Sequence, residues 1–248
     1  MKKNTDFIFG IRAVIEAIKA GKEVDRVLIA RKSESEITKD LFSLVRETEI
    51  PFQFVPVEKL NRITRKSHQG VVAFLSEISY YPVDELIRRA YEAGRDPLLI
   101  ILDGVSDVRN FGAIARSAEC FGFSGIIIPE KGAARVNADA VKTSAGALLK
   151  IPVSRVRSLP NTIKYLKDSG LMIFSVTEKA SKDLHQVKLE GPLALIMGGE
   201  DTGISENLVF LSDESLKIPM EGETESLNVS VASSVVMYEV NRQRIIPG

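Results

Sequence analysis

Absences narrow this sequence before any motif does. Its 248 residues include one cysteine, Cys120, so no internal disulfide framework can hold it together. Cys120 sits beside Phe121 on a helical pattern and is expected as a small buried hydrophobe. The two histidines, His68 and His185, lie far apart without cysteine or histidine companions. A zinc site is therefore not expected, nor any other metal. Charge of one sign is also missing, because Lys plus Arg and Asp plus Glu stand at 33 each. No global field advertises a nucleic-acid partner, although a local basic patch would be enough for RNA. Apolar runs are short: Leu98–Leu102 falls far below the length that crosses a bilayer. The opening Met1 to Asp6 is not followed by a stretch long enough for a signal peptide. The expectation is a soluble, cytoplasmic protein, in which the glycosylation match at Asn228-Val-Ser230 is idle.

Several common loops are absent as well. No Gly-x-Gly-x-x-Gly follows the first strand of either half, which disfavours a dinucleotide-binding turn. Gly198 to Gly203 has the glycine spacing of a phosphate loop, but Ile204 stands where the lysine belongs. No Gly-x-Ser-x-Gly elbow follows a strand, so an α/β hydrolase is unsupported.

What is present is patterned. At 44% hydrophobic residues the chain can bury a sizeable core. Ile11, Val14, Ile15 and Ile18 mark one helical face that Gly21 can close. Strands are expected at Val24–Ala30, Phe52–Val55 and Val71–Leu75, with helices over Glu34–Thr48 and Val57–Ile63. These make a small α/β unit, residues 1–78. Residues 79–96 are expected as a linker containing a helix over Asp84–Ala93. From residue 97 onward the alternation lengthens. Strands are expected at Leu98–Leu102, Gly125–Ile128, Ile151–Val153, Met172–Val176, Leu193–Met197 and Leu216–Ile218. Helices fall near Phe111–Phe121, Ala138–Ala147, Thr162–Lys167 and Val229–Arg242. Apolar strands alternating with helices imply a mostly parallel sheet covered on both faces.

Three segments of this second unit place polar residues where packing alone would not. They are Leu102-Asp-Gly-Val-Ser-Asp-Val-Arg-Asn-Phe-Gly-Ala-Ile-Ala-Arg116, Leu195-Ile-Met-Gly-Gly-Glu-Asp-Thr-Gly203 and Ile218-Pro-Met-Glu-Gly-Glu-Thr-Glu-Ser-Leu-Asn-Val-Ser230. Each leaves an apolar strand and breaks into glycine and small polar residues, the place where open α/β sheets bind ligands. In the first, Asn110 is expected to cap the following helix and Gly112 to admit a close backbone neighbour. Arg116, six residues on, suits phosphate recognition. The plain alternative is a capped helix with one surface salt bridge. In the second, Gly198 and Gly199 are expected to expose backbone groups that can grip a ligand edge; a tight turn with a solvated acid, Glu200, is the alternative. In the third, Ser226, Asn228 and Ser230 alternate with Leu227 and Val229, more polar groups than one helix cap needs.

Together, in this order, the three segments resemble the motifs of the SpoU, or TrmH, family of RNA ribose 2′-O-methyltransferases. The third is the most specific. Phe9-Gly-Ile-Arg-Ala-Val-Ile-Glu-Ala17 and Ser67-His-Gln-Gly70 are similar to the substrate-binding domain of the subgroup that methylates a guanosine of large-subunit (23S) ribosomal RNA. That domain resembles the ribosomal L30e and L7Ae proteins. The likeness implies an α/β-knot (SPOUT) catalytic domain over residues 97–248 with a deep trefoil knot, an exception to ordinary topology rules. It also implies S-adenosyl-L-methionine as methyl donor and a homodimer whose active site draws on both subunits. By the same resemblance, Asn110, Arg116, Glu200, Ser226 and Asn228 are the catalytic set. Thr177, Met197, Gly198, Gly199, Ile218, Met220 and Leu227 would hold the donor. The chain departs from the family pattern at Val108, where proline is usual, at Leu149, where an acid is common, and at Asp201-Thr202.

Arg62, Arg65, Lys66 and His68 cluster before Gly70 and are expected as an RNA-contact edge, against the alternative of a solvated charged loop. Arg116 would grip the phosphate next to the target ribose, and Asn110 would position that arginine or the ribose. Arginine is a poor general base, so the base stays open, with Glu200 a candidate or an orienting group. Other readings are an enzyme acting on transfer RNA, a resistance enzyme acting on an adenosine, a silent RNA-binding assembly protein, and a small-molecule enzyme with a nucleotide cofactor.

Overall fold

The computed structural model describes residues 7–31, 36–200, 202–224 and 226–245. The chain divides into two compact units. One runs from the amino terminus to Ser79 and takes in Arg135–Ala138; the other holds Tyr80–Ala134 and Asp139–Gly248. No helix among the described residues is long and apolar enough to cross a membrane.

The first unit runs β1 (Phe7–Phe9), α1 (Ile11–Lys19), β2 (Val24–Ala30), α2 (Glu36–Glu47), β3 (Phe52–Val55), α3 (Val57–Ile63) and β4 (Val71–Leu75). Its sheet has the order β1-β4-β2-β3, with β4 antiparallel to both neighbours and β3 parallel to β2. The apolar stripe of α1 buries Ile11, Val14 and Ile18 against Val27, Val71 and Ala73. Gly21 does close that helix: at φ +71° its amide bonds Ile18 O at 3.0 Å while the next amide bonds Ala17 O at 3.0 Å, a left-handed stop open to glycine. On the other sheet face Leu60 of α3 packs with Leu28, Val55 and Val72. The expected start of α2 at Glu34 lies outside the described residues.

There follow α4 (Val83–Glu92), β5 (Leu98–Asp103), α5 (Val108–Cys120), β6 (Gly125–Pro129), α6 (Ala138–Thr143), β7 (Val153–Val156), α7 (Leu159–Asp168), β8 (Met172–Val176), β9 (Lys182–Asp183), β10 (Leu193–Gly198), α8 (Glu206–Leu211), β11 (Glu214–Lys217) and α9 (Val229–Ile245). The linker expected over residues 79–96 is corrected here, because residues from Tyr80 onward group with the second unit. Leu86 and Ile87 of α4 are buried in its core beside Leu99, Ile101 and Ile127.

The second sheet has the order β7-β6-β5-β10-β8-β11-β9, and every neighbouring pair is parallel. Leu98 to Leu102 are all buried, as a central strand covered on both faces requires. Leu99 and Ile101 meet α4 and α7; truncating either to alanine should cost about 2–5 kcal/mol. Helices α5 and α9 pack against each other, against β6 and β10 respectively. Gly112 admits a close neighbour as expected, and that neighbour is α6: an added Cβ would lie 2.8 Å from Thr143 Cβ and 3.0 Å from Ala140 O.

Cys120 corrects a second expectation. It is exposed, because it ends α5 on the same face as the exposed Arg116 four residues earlier.

Strand order also places the site. From β5 the chain crosses to β6 on one side; from β10 it crosses to β11 on the other. β5 and β10 are paired neighbours, so the strand order reverses between them, and open α/β sheets bind ligands at the carboxyl ends of strands beside such a reversal.

Candidate active site at the carboxyl ends of the strands

A cavity of about 750 Å³ opens at the carboxyl ends of β8, β10 and β11. Its walls come from the chain after β8, β10 and β11. Of the residues singled out from the sequence, Thr177, Met197, Gly198, Gly199, Glu200, Ile218, Met220, Ser226, Leu227 and Asn228 all line it. The second and third polar segments thus converge on one space, and the first reaches it through a hydrogen bond.

That bond centres on Asn228. Its Nδ2 donates to Asn110 Oδ1 at 3.1 Å and also to Glu200 Oε1. Its Oδ1 accepts from the amide of Ser230 at 3.0 Å, from Ser230 Oγ at 2.5 Å and from the amide of Val231 at 3.4 Å. One side chain therefore caps α9 with its oxygen and ties the other two segments together with its nitrogen.

The expected cap role of Asn110 is overturned, with a consequence for the site. Asp107 is the cap of α5, its Oδ1 accepting from the amides of Arg109 at 2.7 Å and Asn110 at 3.0 Å. Asn110 lies in the first turn, and its own carboxamide is left for Asn228. The signal was present, since an aspartate three residues ahead of a polar first-turn residue is a helix-start pattern.

The double glycine serves packing more than exposure. A Cβ on Gly198 would overlap the backbone of Gly203 and Ile204, and one on Gly199 would lie 2.6 Å from Gly104 O. The Gly199 amide is not free for a ligand, because it donates to Asp103 O at 2.8 Å. Glu178, Lys179, Glu206 and Val209 also line the cavity. Sequence reading passed over them because no motif marks a solvent-facing turn or a helix of six residues. Three carboxylates, Glu178, Glu200 and Glu206, against the single ammonium of Lys179 give the described lining an anionic bias.

Arg116 lies apart. It is exposed on α5, does not line the cavity, and makes no hydrogen bond or ion pair among the described residues. Arg62, Arg65 and Lys66 are exposed in the first unit, with Lys66 Nζ 5.9 Å from the Phe9 ring centre. His68 corrects the expected RNA edge. It is buried, its Nδ1 accepts from Gly70 N–H at 3.0 Å, and its Nε2 meets Asn61 Oδ1 at 2.8 Å. With Nδ1 as acceptor, Nε2 carries the proton, and the ring shapes the turn through Gln69 (φ +51°) and Gly70. Asp201 and Glu225 lie outside the described residues. Among those residues no group of three metal-ligating side chains converges.

Comparisons with known proteins identify the family. Residues 97–238 match the model of the SpoU rRNA methylase family, and residues 7–81 match the model of the RNA 2′-O ribose methyltransferase substrate-binding domain. The chain belongs to the SpoU, or TrmH, family of RNA methyltransferases. A Bacillus subtilis protein assigned to the TrmH family of tRNA/rRNA methyltransferases is 34% identical over 98% of each chain. A Staphylococcus saprophyticus relative of the same description is 35% identical over 96% of this chain and 95% of its own. Among solved structures, the SpoU methyltransferase AviRb of Streptomyces viridochromogenes superposes with a TM-score of 0.62 at 26% identity. The match covers 96% of this chain and 90% of that one, which was crystallised with its cofactor AdoMet.

Proposed function

We propose that this protein transfers a methyl group from S-adenosylmethionine to a ribose 2′-hydroxyl of RNA, most specifically a guanosine of large-subunit ribosomal RNA, acting in the cytoplasm as a homodimer. The observation that carries the reading is the Asn110–Asn228–Glu200 cluster at the edge of a cavity bounded by the other two polar segments. The cavity fits the donor. Its volume suits a ligand of that size, Met220, Leu227 and Met197 offer apolar surface, and the carboxylate excess favours a cationic ligand. Thr177, Met197, Gly198, Gly199, Ile218, Met220 and Leu227 would hold it. When bound, S-adenosylmethionine supplies an electrophilic methyl group.

The protein's own task is positioning, because a ribose hydroxyl is a poor nucleophile that must be aligned and shielded from competing water. Asn228 fixes Asn110 and Glu200 relative to each other, so neither must reorganise when RNA arrives. Arg116 is exposed and unpaired among the described residues, as a group kept for a phosphate would be. Its absence from the cavity lining supports the second copy that the family resemblance implies. Val231, Val235 and Tyr238 form an exposed stripe on α9, set beside α5 by the Ser117–Ser234 hydroxyl pair and the Phe121–Tyr238 ring contact. Apolar surface of this kind suits burial against an equivalent face, bringing Arg116 to its partner's cavity. The trefoil knot implied by the family belongs to the same proposal; Gln243 and Arg244 near the end of α9 bond the loop at Val187, Leu189 and Gly191. In the first unit, Arg62, Arg65 and Lys66 offer charge to the RNA backbone, while an unpaired guanosine suits specific readout.

Mapping 2′-O-methyl marks in RNA from a strain lacking this protein tests the target. Loss of one mark in 23S ribosomal RNA is the expected result. Loss in transfer RNA alone would move the substrate to that class. No lost mark, with no S-adenosylmethionine binding by the purified protein, would overturn the activity.

A further inference from the structure

Asp103 ends β5 and stands outside the cavity lining, yet both feet of the loop that carries Glu200 are fastened to it. Its backbone oxygen accepts from Gly199 N–H at 2.8 Å, one residue past the Gly198–Asp103 register of the paired strands. Its carboxylate Oδ2 accepts twice from Ser205, from N–H at 2.8 Å and from Oγ–H at 2.6 Å. Between these feet the loop closes on itself through Gly203 N–H to Gly199 O at 2.8 Å. Beyond Ser205 begins α8, whose Glu206 and Val209 line the cavity.

Ser205 is the cap residue of α8, but it makes no side-chain cap bond. A serine there ordinarily bonds the amide two or three residues on; here its hydroxyl is turned back to Asp103. The acid is not required by the core either, since the apolar strand ends at Leu102. A carboxylate that accepts two bonds from one residue holds it more tightly than a neutral group would.

The geometry points to Asp103 as a positioning residue for the methyl donor. It holds the Gly198–Glu200 wall and the Ile204–Val209 wall at a fixed separation, acting through Gly199 and Ser205 without touching the ligand. This rests on the reading that the cavity takes S-adenosylmethionine.

Calorimetric titration of the full-length protein with S-adenosylmethionine tests it, using Asp103→Ala, Asp103→Asn and Ser205→Ala. Asp103→Ala should bind about ten- to a hundredfold more weakly, as expected for losing two bonds to a charged group. Asp103→Asn keeps an accepting oxygen and should recover most of that loss. Ser205→Ala, which keeps the backbone bond, should lose about fivefold. In steady state the KM for the donor should rise by the same factors, with the KM for RNA unchanged. Hydrogen exchange at the Ser205 amide should quicken in Asp103→Ala without donor present. Wild-type affinity in Asp103→Ala, or equal loss in the alanine and asparagine variants, would overturn the inference. If Asp103→Ala does not fold, wild-type affinity in Ser205→Ala overturns it instead. Absence of donor binding by the wild-type protein would sink the cofactor reading itself, and the exchange measurement would still report whether Asp103 holds the loop.

Discussion

The two units carry their polar residues in opposite ways. In the second unit Asn110, Asn228 and Glu200 are joined by hydrogen bonds, and Asn228 also caps a helix. In the first unit Arg62, Arg65 and Lys66 are exposed, and His68, expected beside them, is buried and satisfied from within. The contrast matches two kinds of work. Chemistry rewards groups already in place, whereas attraction to a phosphate backbone needs charge at the surface more than fixed geometry.

Four substitutions test that contrast. The largest effect is expected at Arg116. Arg116→Ala should lower methyl transfer about a thousandfold or more while calorimetry shows donor affinity within about twofold of wild type; ordinary turnover would remove Arg116 from the mechanism. Asn228→Ala comes next. It should lower kcat about a hundredfold, a loss of roughly 2.7 kcal/mol, and destabilise α9 by about 1 kcal/mol through the lost cap. Chemical denaturation and single-turnover kinetics separate the two. A variant with lowered stability and normal turnover would reduce Asn228 to a cap.

His68→Ala should act on the fold of the first unit, costing about 1–3 kcal/mol for the unsatisfied groups it leaves. RNA affinity measured on the folded fraction should stay unchanged; a selective loss of affinity would return His68 to the RNA edge. Arg65→Glu is the smallest. It should weaken RNA binding several-fold at low salt, by roughly 1 kcal/mol, with the difference shrinking as salt rises. A filter-binding series from low to high salt that shows parallel curves would make this loop a solvated bystander.

Elements show in the sequence where their own residues set their ends. Strands β2, β3, β4 and β8 and helix α3 begin and end where their apolar patterns do. β7 lies later than expected, at Val153–Val156, because Pro152 cannot donate to a ladder and the pairing with β6 begins at Val153. β11 lies earlier, at Glu214–Lys217, drawn by its register with β8. Two-residue β9 and six-residue α8 are too short for periodicity to show. At the site, single positions were readable as candidates because glycine and small polar residues break the apolar runs that precede them. Their joining was not: nothing local in the sequence says that Asn228 reaches Asn110, 118 residues away. The latch between Asp103 and Ser205 was invisible for the same reason, spanning 102 residues.

Helix α9 is pinned at both extremities. Asn228 moors its first turn beside Glu200, and Gln243 with Arg244 moors its last turn to the backbone near Leu189. Across 17 residues that makes a strut of roughly 25 Å. Inserting or deleting one residue between the moorings would swivel everything beyond it by about 100°, turning Tyr238 away from Phe121 and pulling either the cap or the clamp out of place. The length of this strut therefore sets where Asn228 sits as much as its own hydrogen bonds do, and natural variation along α9 should run to substitutions and never to gaps.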